Sequence, residues 1–576
     1  MFEVNRKEIR RRVSPDAIGP QNVNPRLATI LATRGITDAN DLQFSNRDLL
    51  HPGTLNDIDT AAAIISEHVM QGSGIRIVGD YDADGATSTA LMLLMLRAYG
   101  ASHVDFVVPD RFIHGYGLSP ALVESFDDTP IALLITVDNG IASIEGVASA
   151  KARHMQIVVT DHHLPGDTLP SADAIVNPNA SGDLFPSKNL SGVGVAFYVL
   201  SVTGRVLEKR GWFKKRPIPK ISDYLDLVAL GTYADLVALD QNNRILVNQG
   251  LKRIKAGRCR PGISALVDLS GKNQTQLIAS DLGFQIAPRL NAAGRLEDMT
   301  IGINCLIAET DREAKVLAQK LDSINKERKT IEQHMTSDAT SILDKIGSIG
   351  KDSNGICLYN REWHEGVVGL VASRLKEKWA LPSVVFACGT SGQLKGSARS
   401  VKGVHIRDVL CDIDSGYPGL IQKFGGHAMA AGLSIGADSF AEFESAWGEV
   451  LSAHTASIRA ANELLTDGAL HDEFIDLDFI QELKSIVPWG QGFGEPLFDN
   501  VFQVLEQRLV GQIHLKLLLR SEQSNKVVNA IKFRFLDSPG ASYQEFSRIH
   551  AVYRVDVNEY SGRIDPQLII EHINPV

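Results

Sequence analysis

Short apolar runs alternate with helix-like segments from Ile75 to about residue 235. The strand-like runs are IRIV, VDFVVP, IALLITV and QIVVT, and the helix-like segment TALMLLMLRAYG separates the first two of them. Strands that alternate with helical segments are typical of βαβ units. The pattern therefore predicts a parallel sheet with helices on both of its faces.

The segment from residue 309 to about residue 346 has a helical period instead. Its apolar residues recur at spacings of four, three and seven, amid dense charges, at Leu317, Leu321, Ile324 and Ile331. Apolar residues at these spacings form one stripe on a helix whose other faces meet water. We expect a long exposed helix that joins two lobes.

Two further patterns follow this helix. Between about residues 355 and 455, ICLY and SVVFA have the composition of strands and VVGLVASRLKEKW that of a helix, which predicts a second α/β lobe. The last hundred residues contain strand-like pieces with little helical pattern between them, namely VFQVLEQRLV, HLKLLLR, VVNAIKF, RIHAVYRVDV and PQLIIEHI. Such a run favours a small β-barrel of the OB type.

The length of 576 residues exceeds what one hydrophobic core usually supports, so several domains are expected. We assign the α/β class, with two α/β lobes joined by a long helix and followed by a C-terminal OB-type β-barrel. The first fifty or so residues show no alternation from which strands can be assigned, and we interpret them as a helical or irregular lead-in. The predicted segments are 1–55 for the lead-in, 56–307 for the first lobe, 308–350 for the helix, 351–456 for the second lobe and 457–576 for the barrel.

Composition excludes several classes of protein. With 44% hydrophobic and 22% charged residues, and no long polar low-complexity tract, the chain is an ordinary folded protein rather than a disordered one. Charges follow the first methionine within a few positions, and no apolar run approaches the roughly 20 residues of a membrane span, so we expect a cytoplasmic location. The five cysteines include no CxxC pair, which favours buried free thiols over a disulfide framework or a zinc ribbon.

The formal net charge of −10 is unusual for a protein that binds nucleic acid. Total charge constrains solubility more than it constrains a local site, however. Basic residues cluster in two places, and each cluster taken alone is more simply explained as a solvated surface than as a nucleic-acid track. These clusters are Lys209, Arg210, Lys214, Lys215 and Arg216, and Lys252, Arg253, Lys255, Arg258 and Arg260.

The densest chemical signal is the loop GDYDADG. Asp80, Asp82 and Asp84 alternate there, after the strand IRIV and before a helix that we expect to begin near Thr87. Loops at the carboxyl ends of parallel strands are where such sheets bind ligands. Three neighbouring carboxylates repel one another unless cations lie between them. The alternative is an acidic turn whose aspartates cap the next helix.

Two other kinds of loop fit the sequence less well. The motif D-x-D-x-D-G matches the first half of an EF-hand calcium loop, but the twelfth position is Leu91 rather than glutamate and a strand rather than a helix precedes the loop. A phosphate loop of the form GxxxxGK[ST] is absent from the sequence, and GVGVAF, at residues 192–197, is too weak a motif to replace it. ATP-driven chemistry therefore has no support in the sequence.

Two further strands end in residues of the same chemistry. LLITV runs into DNG at residues 138–140, and IVVT runs into DHH at residues 161–163. A single aspartate at either place is as compatible with a helix cap as with a site. Three strands that bring acids and a histidine to one sheet edge are much harder to explain by capping. Asp235, in LDLVALGTYADLVAL, could alone be an ordinary buried aspartate, and its interpretation depends on the other three.

The types of ligand in this set select the metal. Several carboxylates with one imidazole and no thiolate suit divalent ions such as Mn²⁺ or Mg²⁺. One shared aspartate can bridge two ions roughly 3.5 to 4 Å apart, and such a pair holds both the attacking and the leaving oxygen of an in-line phosphoryl displacement. Water bound between two cations loses its proton more easily, so no Ser-His-Asp or Cys-His arrangement is required. The residues predict phosphodiester hydrolysis without a protein nucleophile.

The motifs DYDADG, VDNG, TDHH and GTYADLV resemble, in their order and spacing, those of the DHH phosphoesterase family, which is named for residues 161–163. Members of that family carry a GGH motif in a second lobe, and FGGHAMAAGLS supplies Gly425, Gly426 and His427 here. A GGH taken alone could be a glycine turn beside a surface histidine. After a DHH domain and a long linker, we interpret it as a substrate-binding element.

Within the family, the chain is similar over nearly its whole length to the single-strand-specific DNA exonucleases. The shared motifs are GDYDADGATSTAL, GYGLSP, TDHHLPGDTLP, GVGVAFY, DLGFQIAPRLNAAGRL, WHEGVVGLVASRLKE, KFGGHAMAAGLS and PWGQGFGEPLFD. This resemblance implies processive 5′ to 3′ digestion of single-stranded DNA to mononucleotides, in DNA repair and recombination. It also implies a monomer that works with a single-strand-binding protein and a RecQ-type helicase.

The same resemblance implies two ion sites that share one carboxylate. The implied ligands are Asp80, Asp82 and Asp138 for one ion, and Asp84, Asp138, His162 and Asp235 for the other. His163 would contact the scissile phosphate. The pyrophosphatases of the family have a histidine before the acidic loop where this chain has Val78, so we expect Asp80 to replace that ligand.

Residues that would hold the DNA strand are also implied by the resemblance. Arg111, Tyr116, Ser373 and Arg374 would bind the 5′ end and its first base, and Arg289 and Arg295 would hold the backbone phosphates that follow. For each of these arginines, a surface or interdomain salt bridge is the alternative. A channel too narrow for a duplex would enforce strand selectivity, and the terminal barrel would lengthen the electrostatic and stacking track.

Two other functions are alternatives to a single-strand-specific exonuclease. The first is a DHH phosphatase that acts on pyrophosphate or on a cyclic or linear dinucleotide, although such a substrate needs no third folded domain. The second is a catalytically silent single-strand-binding protein. The intact acids argue against the second, because clustered carboxylates without metals would repel phosphate.

Overall fold

The computed structural model of the chain describes residues 8–12, 18–111, 113–127, 129–346, 353–389, 392–460, 463–536, 540, 543, 545–560 and 562–576. These residues group into two compact units. The parallel-sheet unit comprises Gln43–Arg328 and Val487–Gly494, and the barrel unit comprises Met1–Leu42, Lys329–Ile486 and Glu495–Val576. No helix in the described part of the chain combines the length and the apolar character needed to cross a bilayer.

The described strands, in chain order, have the following bounds. They are β1 (Glu8–Arg11), β2 (Ile75–Val78), β3 (Val104–Val107), β4 (Leu133–Val137), β5 (Gln156–Thr160), β6 (Ala174–Val176), β7 (Ile356–Tyr359), β8 (Ser383–Cys388), β9 (Leu394–Arg399), β10 (Ile421–Gly426), β11 (Ala430–Ile435), β12 (Glu463–Thr466), β13 (Phe498–Val510), β14 (His514–Ser521), β15 (Val527–Lys532), β16 (Arg548–Tyr560) and β17 (Arg563–Pro575).

The described α-helices are numbered in the same way. They are α1 (Pro25–Ala32), α2 (Ile58–Gln71), α3 (Ala83–Tyr99), α4 (Pro120–Glu124), α5 (Ile144–Ala152), α6 (Gly192–Lys209), α7 (Leu225–Ala234), α8 (Gln241–Lys255), α9 (Pro261–Ser270), α10 (Ala279–Asp281), α11 (Ala287–Leu296), α12 (Thr300–Ile307), α13 (Asp311–Ile346), α14 (Val368–Trp379), α15 (Ile406–Gly416), α16 (Phe440–Ser452), α17 (Thr455–Ala460) and α18 (Leu477–Ile486).

The parallel-sheet unit contains the predicted parallel sheet. Among the described residues it has the strand order β3-β2-β4-β5-β6, and every neighbouring pair is parallel. β2 and β4 are buried along their whole length, because helices cover both faces of the sheet. The register places Val78 beside Thr136, and Val137 beside Thr160, so β2, β4 and β5 end at one edge.

The helix after the acidic loop begins earlier than predicted. α3 starts at Ala83 rather than near Thr87. The cause is Asp82, whose carboxylate accepts the first main-chain N–H groups of the helix and so allows it to begin within the acidic loop. Almost all of α3 is buried, which places the acidic first turn of the helix inside the unit.

The long helix is confirmed as α13, which spans 36 residues. Its buried stripe includes Leu321, Ile324 and Met335, while many of the positions between them are exposed and charged. Of the four predicted stripe positions, Leu321 and Ile324 are buried and Leu317 and Ile331 are half-buried, so the helix is confirmed and its apolar stripe is confirmed at two positions. Along the chain, α13 passes from the parallel-sheet unit to the barrel unit between Arg328 and Lys329.

The barrel unit contains a second α/β element and the barrel itself, as predicted. The described strands of the former have the order β10-β11-β9-β8-β7, in which only the pair β7–β8 is parallel. The barrel closes with the order β13-β14-β15-β17-β16. A closed barrel leaves no unpaired strand edge, which stabilises short antiparallel strands.

The N-terminal lead-in contains a strand that the sequence pattern did not reveal. β1 pairs in parallel with β12, from Glu8 opposite Glu463 to Arg11 opposite Thr466. The pair is stabilised by an ion pair between Arg11 and the buried carboxylate of Asp499, at 2.6 Å. Because β1 is only four residues long and mostly exposed, its own residues carry no alternation, and its partner lies far along the chain.

The cysteines are unpaired thiols, as predicted, but they are not all buried. Cys305 and Cys357 are buried, Cys259 and Cys411 are half-buried, and Cys388 is exposed. The expectation of buried thiols is therefore wrong for Cys388, because this residue is the last of β8 and lies at the end of the sheet.

Candidate metal centre

The acidic loop after β2 is held by main-chain donors. Asp80 accepts a hydrogen bond from the N–H of Tyr81 at 2.7 Å. Asp82 Oδ1 accepts from the N–H groups of Asp84 and Gly85 at 2.9 and 3.0 Å. The capping interpretation is therefore confirmed for Asp82. It does not exclude a second role, because both of these hydrogen bonds use the same oxygen of the carboxylate.

Asp84 lies at the N-terminus of α6. Its carboxylate accepts from the N–H of Gly192 at 2.6 Å and from the N–H of Val193 at 3.0 Å. A helix N-terminus favours a negative charge, so the motif GVGVAF binds a carboxylate of the protein itself. A Cβ at Gly231 would lie 2.7 Å from Asp84 Oδ1, and a Cβ at Gly192 would lie 2.5 Å from Asp138 Oδ1. Both positions therefore require glycine.

Asp138 follows β4 in a backbone conformation that is unusual for an aspartate. Its φ is 61°, in the left-handed region, and its side chain is buried. Its main-chain carbonyl accepts a hydrogen bond from the hydroxyl of Tyr116 at 3.2 Å. Strain of this kind persists only where the surroundings fix the residue, and it is common at functional sites.

The DHH tripeptide after β5 gives each of its residues a different environment. Asp161 is buried and accepts from the N–H of Ile141 at 2.9 Å, from the N–H of His162 at 2.7 Å and from Nδ1 of His163 at 2.7 Å. His162 Nε2 lies 3.1 Å from Asp138 Oδ1 and 3.5 Å from Asp235 Oδ2. The two histidines therefore point to different partners.

All the predicted metal ligands lie in three overlapping groups of candidate ligand atoms, one of which also contains His163, the residue expected to contact the scissile phosphate. In each group the candidate ligand atoms lie within 4.8 Å of one another. The groups are Asp80, Asp82 and Asp138; Asp84, His162 and Asp235; and Asp138, His162 and His163. Asp235, at the C-terminus of α7, thus joins the residues from the three strand ends.

Three atoms of this cluster are buried and have no hydrogen-bond partner among the described residues. They are Asp138 Oδ1, His162 Nε2 and Asp235 Oδ2. An unsatisfied buried polar atom is costly, and three that face one another are explained when a cation lies between them. Carboxylate oxygens with one imidazole nitrogen form a donor set that fits Mn²⁺ or Mg²⁺.

The pKa values of the carboxylates show the same need for positive charge. Burial and repulsion by neighbouring acids raise the pKa of Asp84 and of Asp235 to about 8. Burial and the surrounding carboxylates also raise the pKa values of Asp80 and Asp138 well above the ordinary aspartate value. A bound cation favours the ionised form of each acid and so reverses these shifts.

The two histidines have opposite pKa shifts. Burial and the neighbouring His163 lower the pKa of His162, which favours the neutral imidazole that ligates metals. Burial alone would lower the pKa of His163, but the hydrogen bond to Asp161 and the charge of that residue raise it to about 9. The pKa of Asp161, which burial alone would raise, falls to about 2 beside the same partner. Asp161 and His163 form a charged pair.

Arg111 and Tyr116 lie at this centre, as the resemblance implied. The Tyr116 hydroxyl is 3.3 Å from His163 Nε2, and 46% of the tyrosine is exposed. The Arg111 guanidinium lies 4.5 Å from the centre of the Tyr81 ring, and it donates a hydrogen bond to the carbonyl of Gly294 at 3.3 Å. Tyr81 is the residue between Asp80 and Asp82 in the acidic loop. Both side chains are therefore beside the metal cluster.

The two other arginines of the parallel-sheet unit that were predicted to bind DNA, Arg289 and Arg295, have different surroundings. Arg289 donates to Asp322 at 2.8 Å and to the carbonyl of Leu269 at 3.2 Å, and only 11% of its side chain is exposed. For Arg289 the salt-bridge alternative is thus present in the structure. Arg295 is half-buried in the last turn of α11.

Ser373 and Arg374 lie on α14 of the barrel unit. Ser373 Oγ donates to the carbonyl of Gly369 at 3.0 Å, within the helix. Arg374 Nε forms an ion pair with Glu332 at 2.8 Å, and its Nη1 lies 3.3 Å from Glu377. A salt bridge is again present, so binding of DNA by Arg374 would require this arginine to share or exchange its partners.

The GGH motif forms the turn between β10 and β11. Gly425 is opposite Gly432, and the His427 N–H donates to the carbonyl of Ala430 at 2.8 Å. Gly426 has a φ of 151°, and a Cβ there would lie 2.4 Å from the Ala430 carbonyl oxygen. The motif is thus a glycine turn with an exposed histidine, as the alternative interpretation anticipated, and its role in substrate binding stays a prediction.

Three residues of the centre were not predicted as site residues. Asp161 holds His163, as described above. The amide of Asn177 donates to the carbonyl of His163 at 2.9 Å, and the amide of Asn179 donates to the carbonyl of His162 at 2.6 Å. The signal was the motif NPN directly after the next strand, β6, at the same sheet edge as the three others.

Comparisons with known proteins agree with this geometry. The chain matches the model of the DHH family N-terminal domain over residues 74–232, the DHHA1 domain over 352–453 and the RecJ OB domain over 466–572. It is 45% identical over 574 residues, 99% of both chains, to the single-stranded-DNA-specific exonuclease RecJ of Salmonella typhimurium. The chain belongs to the RecJ family.

Other RecJ proteins show the same relationship. RecJ of Escherichia coli is 44% identical, over 98% of this chain and 99% of that one. The crystal structure of RecJ from Thermus thermophilus in complex with Mn²⁺ matches with a TM-score of 0.76 at 28% identity, over 96% of this chain and 76% of that one. A structure of the same RecJ with Mg²⁺ matches with a TM-score of 0.72. The RecJ fold thus accommodates both ions that suit the donor set described here.

Proposed function

We propose that this RecJ-family chain is a metal-dependent exonuclease that degrades single-stranded DNA from 5′ to 3′ into mononucleotides. The observation that carries the proposal is the convergence of three unsatisfied buried atoms, Asp138 Oδ1, His162 Nε2 and Asp235 Oδ2. The relatives named above are single-stranded-DNA-specific exonucleases and cover almost the whole chain, which supports the substrate.

The proposed centre holds two divalent ions, Mn²⁺ or Mg²⁺. The ligands would be Asp80, Asp82 and Asp138 for one ion, and Asp84, His162 and Asp235 for the other. Asp138 would be shared with the second ion, because its Oδ1 lies 3.1 Å from His162 Nε2. When bound, the ions acidify a water molecule and neutralise charge on the oxygens of the phosphodiester. Asp80 is supported by its burial within the cluster and by the lack of a histidine at Val78.

His163 has a separate role in the proposal. Its Nδ1 is held by Asp161, so its Nε2 carries the other proton of a charged imidazolium. We propose that it donates a hydrogen bond to a nonbridging oxygen of the scissile phosphate and stabilises the charge that develops there. The Tyr116 hydroxyl lies 3.3 Å from His163 Nε2, so the first base would bind next to this histidine.

The strand-binding residues are spread over more of the chain. We propose that Arg111, Tyr116, Ser373 and Arg374 bind the 5′ end and its first base, and that Arg289 and Arg295 hold the backbone phosphates that follow. Exposed aromatic rings and cations are the usual means of binding single strands. We propose that residues 56–307 form the catalytic domain and that residues 351–456 bind substrate through Gly425, Gly426 and His427. Residues 457–576 would extend the surface that binds the strand. Residues 1–55 would be a lead-in, and residues 308–350 a connecting helix.

The proposal extends to the setting in which the enzyme acts. Single strands arise by unwinding and are coated by a binding protein, so we propose a RecQ-type helicase and a single-strand-binding protein as partners of a monomeric cytoplasmic enzyme in DNA repair and recombination. Light scattering on the purified protein tests the monomer, which a stable dimer would contradict. Co-purification with each tagged partner tests the interactions.

End-labelled DNA tests the reaction and its direction. With Mn²⁺, a 5′-labelled single strand should give labelled mononucleotide from the first time points, whereas a 3′-labelled strand should shorten progressively. Blunt duplex and pyrophosphate should remain intact, and chelator should stop the reaction. Early release of the 3′ label would refute the direction. Comparable rates on pyrophosphate would favour a small-molecule phosphatase instead.

The variant Asp82→Asn links this activity to the proposed ions. Asparagine caps a helix as well as aspartate does, so α3 keeps its start while the site loses one charge. We expect activity to fall by at least about a hundredfold, since even residues that only support metal ligands cost 10- to 100-fold. Asp48→Asn, an exposed carboxylate of the same unit, is the matched control. Equal activities of the two variants would remove Asp82 from the site.

A further inference from the structure

A short glycine-rich segment from late in the chain belongs to the parallel-sheet unit. Val487–Gly494 is part of this unit, although both flanking regions of the sequence belong to the barrel unit. It contains most of the motif PWGQGFGEP, to which no role has been given above. We call Trp489–Phe493 the strap.

The strap closes on itself before it meets anything else. The N–H of Gly490 donates to the carbonyl of Phe493 at 3.0 Å, and the N–H of Phe493 donates back at 3.1 Å. The rings of Trp489 and Phe493 stack with their centres 5.3 Å apart, and both residues are almost fully buried. The strap is therefore a compact turn with a defined shape rather than a passing linker.

The strap is bonded to both sides of Asp235. Before Asp235, the Tyr233 hydroxyl donates to the carbonyl of Trp489 at 2.8 Å. After Asp235, the N–H of Leu239 donates to the carbonyl of Gln491 at 2.8 Å. These two hydrogen bonds fix the ends of the turn that carries the aspartate.

Packing around these bonds is close. A Cβ at Gly490 would lie 2.6 Å from Leu239 Cδ1 and 3.2 Å from the Tyr233 ring, and a Cβ at Gly492 would lie 3.0 Å from Ala238 Cβ. Arg244 continues the contact, because its guanidinium lies 4.4 Å from the Phe493 ring centre. The glycines of the strap are therefore required by close approach to the turn.

The Asp235 carboxylate has less support of its own than that of Asp84. Asp84 is held by two main-chain N–H groups, whereas Asp235 Oδ2 has no hydrogen-bond donor among the described residues. The next residue, Leu236, has a φ of 61°, which is strained for leucine. The direction of the Asp235 carboxylate is thus set by its backbone, and the strap holds that backbone.

We propose that the strap is a positioning element of the metal centre, which fixes the turn of residues 235–239 so that the Asp235 carboxylate reaches its ion. This inference rests on the proposed function, in which Asp235 is a ligand. The strap touches neither substrate nor metal in this proposal. It acts through Asp235 alone, and its loss should change metal affinity before it changes DNA binding.

Direct measurement of Mn²⁺ binding by calorimetry on the full-length chain tests the proposal. Gly490→Ala should weaken one Mn²⁺ site about tenfold, within the range for residues that support metal ligands. Tyr233→Phe, which removes the hydrogen bond from the hydroxyl to the Trp489 carbonyl and keeps the ring, should weaken the same site about threefold, in line with the modest net contribution of a hydrogen bond. Gly494→Ala is the control, because a Cβ at this neighbouring position would meet no atom within 4 Å.

Kinetics provide a second readout that a purely structural role would not produce. For Gly490→Ala and Tyr233→Phe, kcat at limiting Mn²⁺ should fall and should recover at high Mn²⁺, while KM for single-stranded DNA stays at the wild-type value. Wild-type Mn²⁺ affinity in both variants would overturn the proposal. If Gly490→Ala does not fold, Tyr233→Phe alone decides by the same criterion.

Asp235→Asn separates failure of the strap proposal from failure of the proposed function. If this variant loses one Mn²⁺ ion while Gly490→Ala and Tyr233→Phe bind both ions normally, Asp235 is a ligand and only the strap proposal is wrong. If Asp235→Asn itself binds both ions with wild-type affinity, Asp235 is not a ligand. The ligand set of the proposed function is then wrong, and the strap proposal is wrong with it.

Discussion

The two sheets of this protein place their polar motifs in different ways. In the parallel sheet, β2, β4 and β5 end at one edge, and the residues that follow them meet within a few ångströms. In the mixed sheet, β9, β10 and β11 alternate in direction, so polar residues such as Lys395, Ser397 and Arg399 spread along one strand. Parallel strands thus turn separate sequence motifs into one site, whereas antiparallel strands form a surface.

A catalytic site could therefore be inferred from sequence motifs for the parallel sheet and not for the mixed sheet. Acids at three strand ends have one common destination when the strands are parallel. A GGH turn has no such partner motif, and Gly425, Gly426 and His427 gain meaning only from family resemblance. We therefore expect substitutions at the parallel-sheet edge to abolish chemistry and metal binding, and substitutions at the hairpin to weaken substrate binding.

The largest effect is expected at the parallel-sheet edge. His162→Ala removes the imidazole that lies 3.1 Å from Asp138 and 3.5 Å from Asp235. Activity on single-stranded DNA should fall by more than about a hundredfold, beyond the cost of losing a residue that only supports a ligand. His334→Ala, at an exposed histidine of α13, is the control. Exonuclease assays at saturating Mn²⁺ measure the activities of both variants. Near-wild-type activity of His162→Ala would show that the parallel-sheet edge is not the site of the chemistry.

Metal binding should stabilise the fold in a way that depends on pH. Asp84 and Asp235 have pKa values of about 8 in the fold and ordinary values near 3.8 when unfolded. Their protonated forms favour folding, so this stability is complete below about pH 3.8 and is lost as the pH rises through about 8. The metal-free protein should therefore have a lower Tm at about pH 8 than at about pH 5.5.

Mn²⁺ should reverse that loss. An ion at about one hundred times its Kd stabilises the fold by about 2.7 kcal/mol, and the gain in Tm should be larger at the higher pH, where protons compete less. Thermal unfolding with chelator and with Mn²⁺ at both pH values measures the effect. Asp161 does not interfere, because its contribution is lost only as the pH falls from about 4 towards 2. The raised pKa of His163, about 9, adds a loss of stability as the pH rises from about 6.5 to about 9, so the quantity to compare at each pH is the Tm gain with Mn²⁺ over chelator. A Tm gain independent of pH would contradict the assignment of these acids.

Asp161→Asn should have an intermediate effect. The carboxylate raises the pKa of His163 to about 9, and the amide removes that charge, so His163 should lose its proton at a lower pH. We expect roughly a 10- to 100-fold loss of kcat, as for other residues that orient a site. The alkaline limit of the pH–rate profile should also move to lower pH. An unchanged profile would show that Asp161 has only a structural role.

The smallest effect is expected at the hairpin. His427→Ala removes an exposed side chain and leaves the Gly426 turn intact. KM for single-stranded DNA should rise by less than about tenfold, in proportion to the loss of one polar contact of roughly 1 kcal/mol. Mn²⁺ affinity measured by calorimetry should stay unchanged. A loss of metal binding in this variant would remove the distinction between the two sheets.

Local patterns of residues were enough to predict the secondary-structure elements and the chemistry of the acidic site. Apolar period predicted the parallel strands, α13 and the barrel, because burial of one face or of both imposes that period. The alternating acids and the motifs DNG and DHH predicted a metal centre, because the parallel strands of successive βαβ units end at the same edge of the sheet. The capping alternative and the metal alternative for Asp82 could not be separated locally, and the structure shows that the cap leaves room for a ligand.

Features that depend on contacts between distant parts of the chain were visible only in the tertiary structure. Asp161 beside His163, the amides of α6 around Asp84 and the strap beside Asp235 join residues whose spacing in sequence carries no period. The same holds for β1, whose partner β12 lies in another region of the chain. Local pattern reports the burial of a residue, whereas the partner that satisfies a buried polar group is chosen by the packing of the whole unit.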